Sequence, residues 1–453
     1  MNIETHVMNH RILLLLTLTL FASAAGAATY YVDDSGSNSN PGTLASPFRT
    51  ITYGLTFIDG PNDVLYVRGG TYNEQVLIWN KHGNSNEEIW IKGYNGEKPV
   101  IDGTGIGDKN LVAINESSYV YFTGFVVQNS PRAGILVWDA HHINVEWNTV
   151  KTTVRSGIHA GTDNYGNTHH IVFKGNVVSD AVRMNLPGLN PGTWVQALSC
   201  YNSHDVVMTE NWVSKSYGEG IDCVTSDNCT ITKNTVWDNF GVNIYLDNAQ
   251  YAKVDGNFVY NTGNTQYYNN GSPAVGIAVA NEYYTVQNPV TNLTITNNIV
   301  LWCKTGFVYW NSQYGGGMHY SLIANNVFYH SHSSSTRLIY IEDGTSSNVH
   351  TNNTIDNNIF YQRSGVGYAW APTVGFTWRT NSWYGGTSGT QITGVGDVTS
   401  DPLLVNAGGW NAADYKLSST SPLKTAGTTE SAVTIDHWGT ARTASYSIGA
   451  HEY

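Results

Sequence analysis

The feature of this sequence that most constrains its fold is a repeat, in which a short apolar stretch is followed by an asparagine, one variable residue and another apolar residue. Eight copies place asparagines at Asn148, Asn176, Asn211, Asn234, Asn257, Asn298, Asn326 and Asn358. The closest three, Asn211, Asn234 and Asn257, are 23 residues apart. Because repeats of this length are typical of solenoids, the pattern predicts stacked coils. A leucine-rich repeat is excluded because its leucine-dense consensus is absent.

A second apolar segment follows the asparagines, and its spacing is also regular. In four coils it begins 14 residues before the next repeat asparagine, at Gly134, Ala197, Gly220 and Asn243. Apolar residues at alternate positions with a constant interval predict short strands joined by fixed turns. One such coil cannot bury its apolar face alone, whereas coils stacked at ~4.8 Å bury a continuous core. The predicted fold is therefore an all-β parallel β-helix of roughly ten coils with loop insertions, its asparagines sharing amide hydrogen bonds.

Composition agrees with this architecture and narrows the classes of partner. Charged residues make up only 12% of the chain, while 46 glycines and 29 tyrosines indicate a turn-rich β protein. The net charge of −12 argues against a nucleic-acid partner, whose phosphates require a basic surface. A polyanionic ligand would be repelled unless a cation or local arginines intervened.

The N-terminus resembles an export signal. Arg11 precedes the apolar run 12–21, and Ala25-Gly26-Ala27 provides a small-residue cleavage site. We therefore predict a signal peptide over 1–27 and a secreted protein, extracellular or periplasmic. No later segment approaches ~18 apolar residues, so no membrane span is predicted. Met8 is an alternative start to Met1.

The four cysteines are too few for a disulfide scaffold and lack zinc spacing. Cys200, Cys223, Cys229 and Cys303 all fall in strand-like apolar patterns. The sequence favours buried, unpaired thiols over the alternative, a small loop closed by Cys223 and Cys229.

Both ends of the mature chain resemble a known group. The segments 30–36, 47–52 and 64–72, with 414–423 and 448–453 at the end, are similar to opening and closing segments of secreted right-handed parallel β-helix proteins of the pectate-lyase-like superfamily. The resemblance implies a right-handed helix and a polysaccharide ligand. It covers 28–453 as one domain, with N-terminal coils over 28–115, asparagine-ladder coils over 116–364, and closing coils over 365–453. The Asp-Pro-His motif of mannuronan epimerases and the paired-Asp motif of polygalacturonases are absent, so the reaction stays open.

Alignment of the second strands separates inward from outward side chains. The two inward columns are Ile135, Ile158, Leu198, Ile221, Ile244, Ile277 and Phe307, and Val137, Ala160, Cys200, Cys223, Leu246, Val279 and Tyr309. The outward columns are Leu136, His159, Ser199, Asp222, Tyr245, Ala278 and Val308, and Trp138, Gly161, Tyr201, Val224, Asp247, Ala280 and Trp310. Polar residues bunch in the middle coils, so the sequence predicts a functional patch on this face.

Two long loops, 162–170 and 180–195, are predicted to wall this patch. The stretches 261–273 and 281–291, the latter with Glu282, are expected on the other side.

The favoured prediction for the patch is hydrolysis of a polysaccharide. Asp222 and Asp247 lie on adjacent coils, offset by two residues, so their Cα atoms should be roughly 8 Å apart. Inverting glycosidases hold their two carboxyls ~6.5–9.5 Å apart, so this pair suits a general acid and base. Glu219, His159 and Tyr245 are expected to assist. The structural alternative is that Asp222 bonds a turn or helps to bind Ca²⁺.

Two other functions stay open. A lyase or epimerase acting on a uronate polymer would pair Arg132, Arg155 and Arg183 with substrate carboxylates, with His159 or Tyr245 as base. The resemblance implies a lysine or arginine base, often with Ca²⁺, but no lysine falls in the aligned outward columns.

A non-catalytic sugar-binding β-helix would use Trp138, Tyr201 and Trp310 as platforms, with Ser199 as a further contact. No cofactor is required in any of these predictions, although Ca²⁺ is compatible, and a monomer is expected. His169 and His170 are adjacent on a strand and should point opposite ways, which disfavours a metal site there.

Overall fold

The computed structural model describes residues 26–186, 194–283, 289–311, 316–344, 349–387, 394–443 and 446–453. Most of the predicted signal peptide, and Pro187 and Pro191 of the second long loop, lie outside these residues. Among the described residues, no helix is long and apolar enough to cross a membrane.

Three parallel sheets form the body of the protein. Sheet 1 contains β1 Thr29–Val32, β2 Val64–Val67, β5 Ile89–Gly93, β8 Ser118–Thr123, β11 His141–Glu146, β14 His169–Lys174, β17 His204–Thr209, β20 Thr230–Thr232, β23 Lys253–Asp255, β26 Thr294–Thr296, β29 Leu322–Ala324, β32 Asn353–Asp356 and β35 Phe376–Arg379. Sheet 2 contains β4 Val76–Trp79, β7 Val112–Asn115, β10 Ile135–Trp138, β13 Ile158–Gly161, β16 Gln196–Tyr201, β19 Glu219–Val224, β22 Val242–Asp247, β25 Val275–Asn281, β28 Phe307–Asn311, β31 Arg337–Ile341 and β34 Gly367–Trp370.

Sheet 3 completes each coil. It contains β3 Thr71–Tyr72, β6 Val100–Asp102, β9 Val126–Ser130, β12 Thr149–Thr153, β15 Val177–Ser179, β18 Trp212–Ser214, β21 Thr235–Trp237, β24 Phe258–Tyr260, β27 Ile299–Leu301, β30 Val327–Tyr329, β33 Ile359–Tyr361 and β36 Ser382–Tyr384. Helical structure is limited to α1 Ile51–Gly54 and the 3₁₀ turns Leu55–Phe57, Tyr94–Gly96, Arg183–Asn185, Thr265–Tyr267 and Ala412–Tyr415.

From β2 onward the chain passes repeatedly from sheet 1 to sheet 3 to sheet 2, which confirms the predicted parallel β-helix. The predicted register of sheet 2 is also confirmed, because Ile135, Ile158, Leu198, Ile221, Ile244, Ile277 and Phe307 pair in sequence. Both inward columns are fully buried and form the core of the coil stack.

The asparagine ladder lies at the turn between sheets 1 and 3. Each side-chain amide donates to the next asparagine's Oδ1, as Asn234 Nδ2 does to Asn257 Oδ1 at 3.0 Å. Each backbone N–H donates to the same oxygen, and the second amide proton reaches a carbonyl of the previous coil. The ladder continues to Asn381, whose own N–H donates to Asp397 Oδ1. Stacked amides thus satisfy turn groups that the core would otherwise leave unpaired.

The prediction of unpaired cysteines is wrong for one pair. Cys223 and Cys229 form a disulfide, which closes the six-residue interval, while Cys200 and Cys303 are free and buried. Cys200 and Cys223 do pair on adjacent strands, as the alignment predicted. The turn after β19 is short, so Cys229 at the start of the next strand returns to the core beside Cys223. The strand-like pattern around each cysteine does not predict that Cys229 lies in the core beside Cys223.

Candidate active site

The outward columns of sheet 2 have the predicted register, but their middle section is not open to solvent. Ser199 and Asp222 are fully buried, and Tyr245 is 3% exposed. The covering residues include Trp194 from the loop after β15, and Asn269 and Pro273 from the loop after β24. The outward residues of these middle coils are therefore enclosed by loops, among them the predicted loop 180–195 through Trp194.

An acidic cavity of ≈ 250 Å³ lies beneath these loops. Its wall, which defines the acidic cavity below, consists of Trp194, Gln196, Glu219, Gly241, Val242, Tyr245, Asp247, Asn269, Pro273, Val275, Glu282, Lys304 and Trp310. Asn269 and Pro273 of the stretch 261–273 line this cavity together with Trp194, and so does Glu282. Aromatic walls with convergent polar groups are typical of small-ligand sites.

Two buried carboxyls of β19 hold protons more tightly than usual. Burial raises the pKa of Glu219 to about 7. Burial, together with the Glu219 and Asp247 carboxylates, raises the pKa of Asp222 well above its ordinary value. Glu219 lines the acidic cavity, whereas Asp222 lies below its wall and has no exposed surface. A general acid must touch the glycosidic oxygen, so the predicted direct role suits Glu219 better than Asp222.

Tyr245 forms the floor between the carboxylates. Its hydroxyl donates to Glu282 Oε1 at 2.5 Å, and its ring meets Trp310 edge-on with centroids 5.9 Å apart. Burial and the charges of Asp247 and Glu282 raise the pKa of Tyr245 well above its ordinary value. Asn248 fixes the Glu282 backbone by bonds to its N–H and C=O. Tyr245 is therefore a neutral hydrogen-bonding group near neutral pH and not a base.

A second, cationic groove of ≈ 480 Å³ continues along sheet 2 from Gln196. The residues that define this cationic groove are Asn110, Asn115, Arg132, Ala133, Leu136, Trp138, Arg155, Ser156, His159, Val195 and Gln196. Arg132 reaches only the exposed Asp108, at 3.9 Å, and its buried Nε has no partner among the described residues. Arg155 has no ion pair within the described part of the chain. The two guanidinium groups are thus available to an anionic ligand.

A chain of hydrogen bonds joins the two sites. Ser199 Oγ donates to Gln196 Oε1 at 3.3 Å, and Gln196 Nε2 donates to Glu219 Oε2 at 3.3 Å. His159 Nδ1 lies 2.9 Å from Ser199 Oγ, whose single proton is already committed to Gln196. His159 must therefore carry its proton on Nδ1, which leaves the Nε2 lone pair free. Burial lowers the pKa of His159 to about 4, so the ring is neutral at pH 7.

Of the remaining predicted site residues, two line the cavity or the groove and three do not. Trp138 lines the cationic groove and Trp310 lines the acidic cavity, as expected of platforms. Ser199 is buried and positions His159 instead of meeting a ligand. Arg183 is not at either site, since its guanidinium binds both oxygens of Asp180 at 2.7 Å. Tyr201 lines neither site.

Sequence reasoning missed Gln196 and Lys304, and it included Trp194 and Glu282 only as members of loops beside the patch. Gln196 pairs with Glu219 at the start of adjacent strands, so extending the aligned columns by two residues would have found it. Lys304 lies in the turn before β28, outside the strand columns. Trp194 and Glu282 lie in loops, and the repeat pattern of the strands does not predict where a loop will lie.

The carboxylates of the acidic cavity raise the question of Ca²⁺. The ion takes roughly six to eight oxygen ligands at 2.3–2.6 Å. In the described residues, groups of three ligand atoms within 4.8 Å of one another are formed by three histidines, by two histidines with Asp205 and by three cysteines, but not by these carboxylates. The donor atoms are of the kind that Ca²⁺ takes, and Ca²⁺ binding at these carboxylates stays a prediction.

Comparison with known proteins places these features in a family context. The sequence model of the family described as "Pel9A-like, right handed beta helix region" matches residues 30–257. Pectate lyase PEL9 of Emericella nidulans is 26% identical over 145 residues, which cover 29% of this chain and 35% of that protein. The uncharacterized protein YwoF of Bacillus subtilis is 29% identical over 114 residues, or 24% of each chain. The chain thus matches about a quarter to a third of the length of these curated relatives.

Solved structures share the fold at low identity. The crystal structure of pectate lyase Pel9A has a TM-score of 0.54 and 18% identity, over 94% of this chain and 97% of that one. The complex of XylC with xylose has a TM-score of 0.54 and 11% identity, over 93% and 98% of the two chains.

Proposed function

The chain belongs to the family of Pel9A-like right-handed β-helix proteins, and from that premise we propose that it is a lyase that cleaves an acidic polysaccharide by β-elimination over sheet 2. The observation that carries the proposal is the cationic groove, where Arg132 and Arg155 stand beside a neutral His159. A uronate supplies the carboxylate that these arginines would bind. Trp138 offers a face for the sugar ring.

In the proposed reaction one side chain accepts a proton and a second side chain donates one. His159 Nε2 takes the proton from C5 of the uronate, and the arginines stabilise the charge that develops on its carboxylate. The electron pair forms the C4=C5 double bond, and the C4–O bond breaks. Glu219, protonated near neutral pH, gives its proton to the departing oxygen. The products are an unsaturated sugar end and a new reducing end, and both side chains then exchange their protons with water.

A polymeric substrate of this kind is met outside the cytoplasm, which accords with the proposed export of the protein. The long groove over sheet 2 accommodates a chain of sugars without a second subunit, so the proposed acting unit is a monomer.

The test is a paired assay across polygalacturonate, alginate and a neutral polysaccharide. We expect new reducing ends together with ultraviolet absorbance from the conjugated double bond, and only on uronate polymers. Arg132→Ala and Arg155→Ala should each lower kcat/KM, whereas Arg49→Ala, an exposed arginine on the first coils, should not. Cleavage of a neutral polymer without absorbance would contradict the proposal.

Hydrolysis is the second candidate, and the acidic cavity favours it. Glu219 holds a proton at neutral pH and shares the cavity with the Asp247 carboxylate, between Trp194 and Trp310. Glu219 would act as general acid and Asp247 as general base, with burial and the Glu282 charge keeping the pKa of Glu219 high. In the same assay, hydrolysis gives reducing ends with no ultraviolet signal, and Asp247→Asn would abolish them while Arg155→Ala would not.

A further inference from the structure

Five of the protein's 15 histidines gather at one turn, where the strands of sheet 1 begin. His141, His169 and His204 are register partners on β11, β14 and β17. Their rings stack in parallel, with centroids 4.8 Å and 5.0 Å apart. The next residue of each strand forms a second column, in which the rings of His142 and His170 stack at 4.5 Å.

Adjacent histidines converge here because the second one has a left-handed backbone. φ is 55° at His142 and 53° at His170, so neither residue continues the strand alternation. His169 Nδ1 and His170 Nδ1 are 2.7 Å apart, and His141 Nδ1 and His142 Nδ1 are 2.9 Å apart. The expectation that His169 and His170 point opposite ways is therefore wrong, since it assumed extended backbone at both positions.

Ligand atoms from two overlapping triads meet at His170. His142, His169 and His170 place ligand atoms within 4.8 Å of one another, and so do His170, His204 and Asp205. Asp205 Oδ2 lies 2.7 Å from His204 Nδ1 and 3.9 Å from His170 Nδ1. The side chain of His170 is 50% exposed, so an ion can reach it from solvent.

We propose that these two triads form a site for one divalent transition-metal ion, with Zn²⁺, Ni²⁺ and Cu²⁺ as the suitable class and His170 as the common ligand. Imidazole with a carboxylate is the donor set that these ions prefer. Two nitrogens bound to tetrahedral zinc at ~2.0–2.1 Å lie roughly 3.3 Å apart, so the His169–His170 pair needs to open by only about half an ångström. The net charge of −12 favours a cation over an anion.

The alternative is a ladder of stacked imidazoles that only packs the turn. Zinc titration of tag-free protein, dialysed against EDTA beforehand, separates the two by isothermal calorimetry. We expect a saturable isotherm with one ion per chain, and Co²⁺ should give the visible absorption of a nitrogen-ligated site. A packing ladder would show neither signal, and this result would overturn the proposal.

The decisive variant is His170→Asn, because asparagine tolerates the left-handed backbone. Asn228 occupies the same column at φ 53°. This variant should fold, with an unchanged melting temperature in EDTA, yet bind zinc roughly 100-fold more weakly or worse. The control is His319→Ala, in the same column as His204 but four coils further along the stack and hydrogen-bonded to Thr351 Oγ1. It should bind zinc like the wild type.

Two more variants test the triads separately. Weaker zinc binding in either His142→Asn or His204→Ala supports the site as drawn. Unchanged affinity in both, or wild-type affinity in His170→Asn, would place the ion elsewhere and overturn the proposal.

Discussion

At the scale of single residues, burial over sheet 2 moves the pKa values of His159 and Glu219 in opposite directions. Burial moves both towards their neutral forms, and so it lowers the pKa of His159 to about 4 and raises that of Glu219 to about 7. Between these values the imidazole can accept a proton while the carboxyl can donate one. Neither side chain needs a charged partner to reach that state.

The activity should therefore follow a bell-shaped pH profile. Protonation of His159 removes the base below about pH 4, and ionisation of Glu219 removes the acid above about pH 7. His159→Gln should lower kcat by roughly 10²–10⁴-fold, the usual weight of one acid–base group. Glu219→Gln should abolish the alkaline limb of kcat/KM against pH. An alkaline limb that persists in Glu219→Gln would assign the acid to another group.

The raised pKa of Glu219 also predicts a pH dependence of folding. Its folded pKa, about 7, exceeds the ordinary value of 4.5 that applies to an unfolded chain. The contribution to stability is fully present below pH 4.5 and is lost as the pH rises through 7. This shift in the pKa of Glu219 corresponds to a contribution of about 3 kcal/mol to the free energy of unfolding.

Glu219→Gln should therefore reduce the difference in unfolding free energy between pH 5 and pH 8.5 by that amount. Urea unfolding at both pH values provides the measurement, with Glu210→Gln on a partly exposed turn as control. An equal pH dependence in wild type and Glu219→Gln would show that Glu219 titrates normally.

At the scale of elements, the asparagine ladder sets the register of the coils. Asn234 Oδ1 accepts from the amide and the backbone of Asn211, and its Nδ2 donates to Asn257 Oδ1 and Met208 O. One side chain thus satisfies groups on both neighbouring coils, all buried.

Asn234→Leu should destabilise the protein without changing its fold. The substitution leaves buried donors and acceptors of two coils unpaired, at a cost of about 1–3 kcal/mol for each group left unsatisfied. Thermal and urea unfolding report the loss. Asn144→Leu is the matched control, because Asn144 lies on the outer face of β11 and its side chain has no hydrogen bond among the described residues. A ladder that merely tolerates asparagine would give the two variants equal stability.

The elements also show what the sequence can predict. The ladder and the inward columns follow from periodicity, since every coil repeats the same local requirement, and Asn148 to Asn358 all occupy the predicted turn. The site did not follow as fully, because the burial of Asp222 depends on loops without a repeat. Lys304 and Glu282 approach the acidic cavity through long-range packing. The convergence of His169 with His170 depends on one left-handed residue that alternation cannot reveal.

At the scale of the whole molecule, the last coils are covered by the chain's own C-terminal segment. The outward positions of sheet 3 become apolar there, at Ile299, Val327 and Ile359, which pair in register. Tyr415, Leu423 and Ile448 pack on them as a separate apolar cluster. A β-helix exposes apolar surface wherever an outer face lacks charge, so this segment protects the stack from association.

Arg442 anchors that segment, and its removal should detach the cover from the coils. The guanidinium has no exposed surface, and it donates to Glu452 Oε2 at 3.1 Å and to Asn297 Oδ1 at 2.8 Å. Arg442→Leu leaves the buried Glu452 carboxylate without its ion-pair partner. The substitution should therefore lower the free energy of unfolding by roughly 3–5 kcal/mol. The double variant Arg442→Leu/Glu452→Leu removes both charges and should recover part of that loss. Urea unfolding of the four proteins in this cycle measures the coupling, and light scattering reports whether the uncovered face of sheet 3 associates. Equal stability of Arg442→Leu and the double variant would mean that Glu452 does not depend on Arg442 as its partner. Apolar packing alone would then hold the segment.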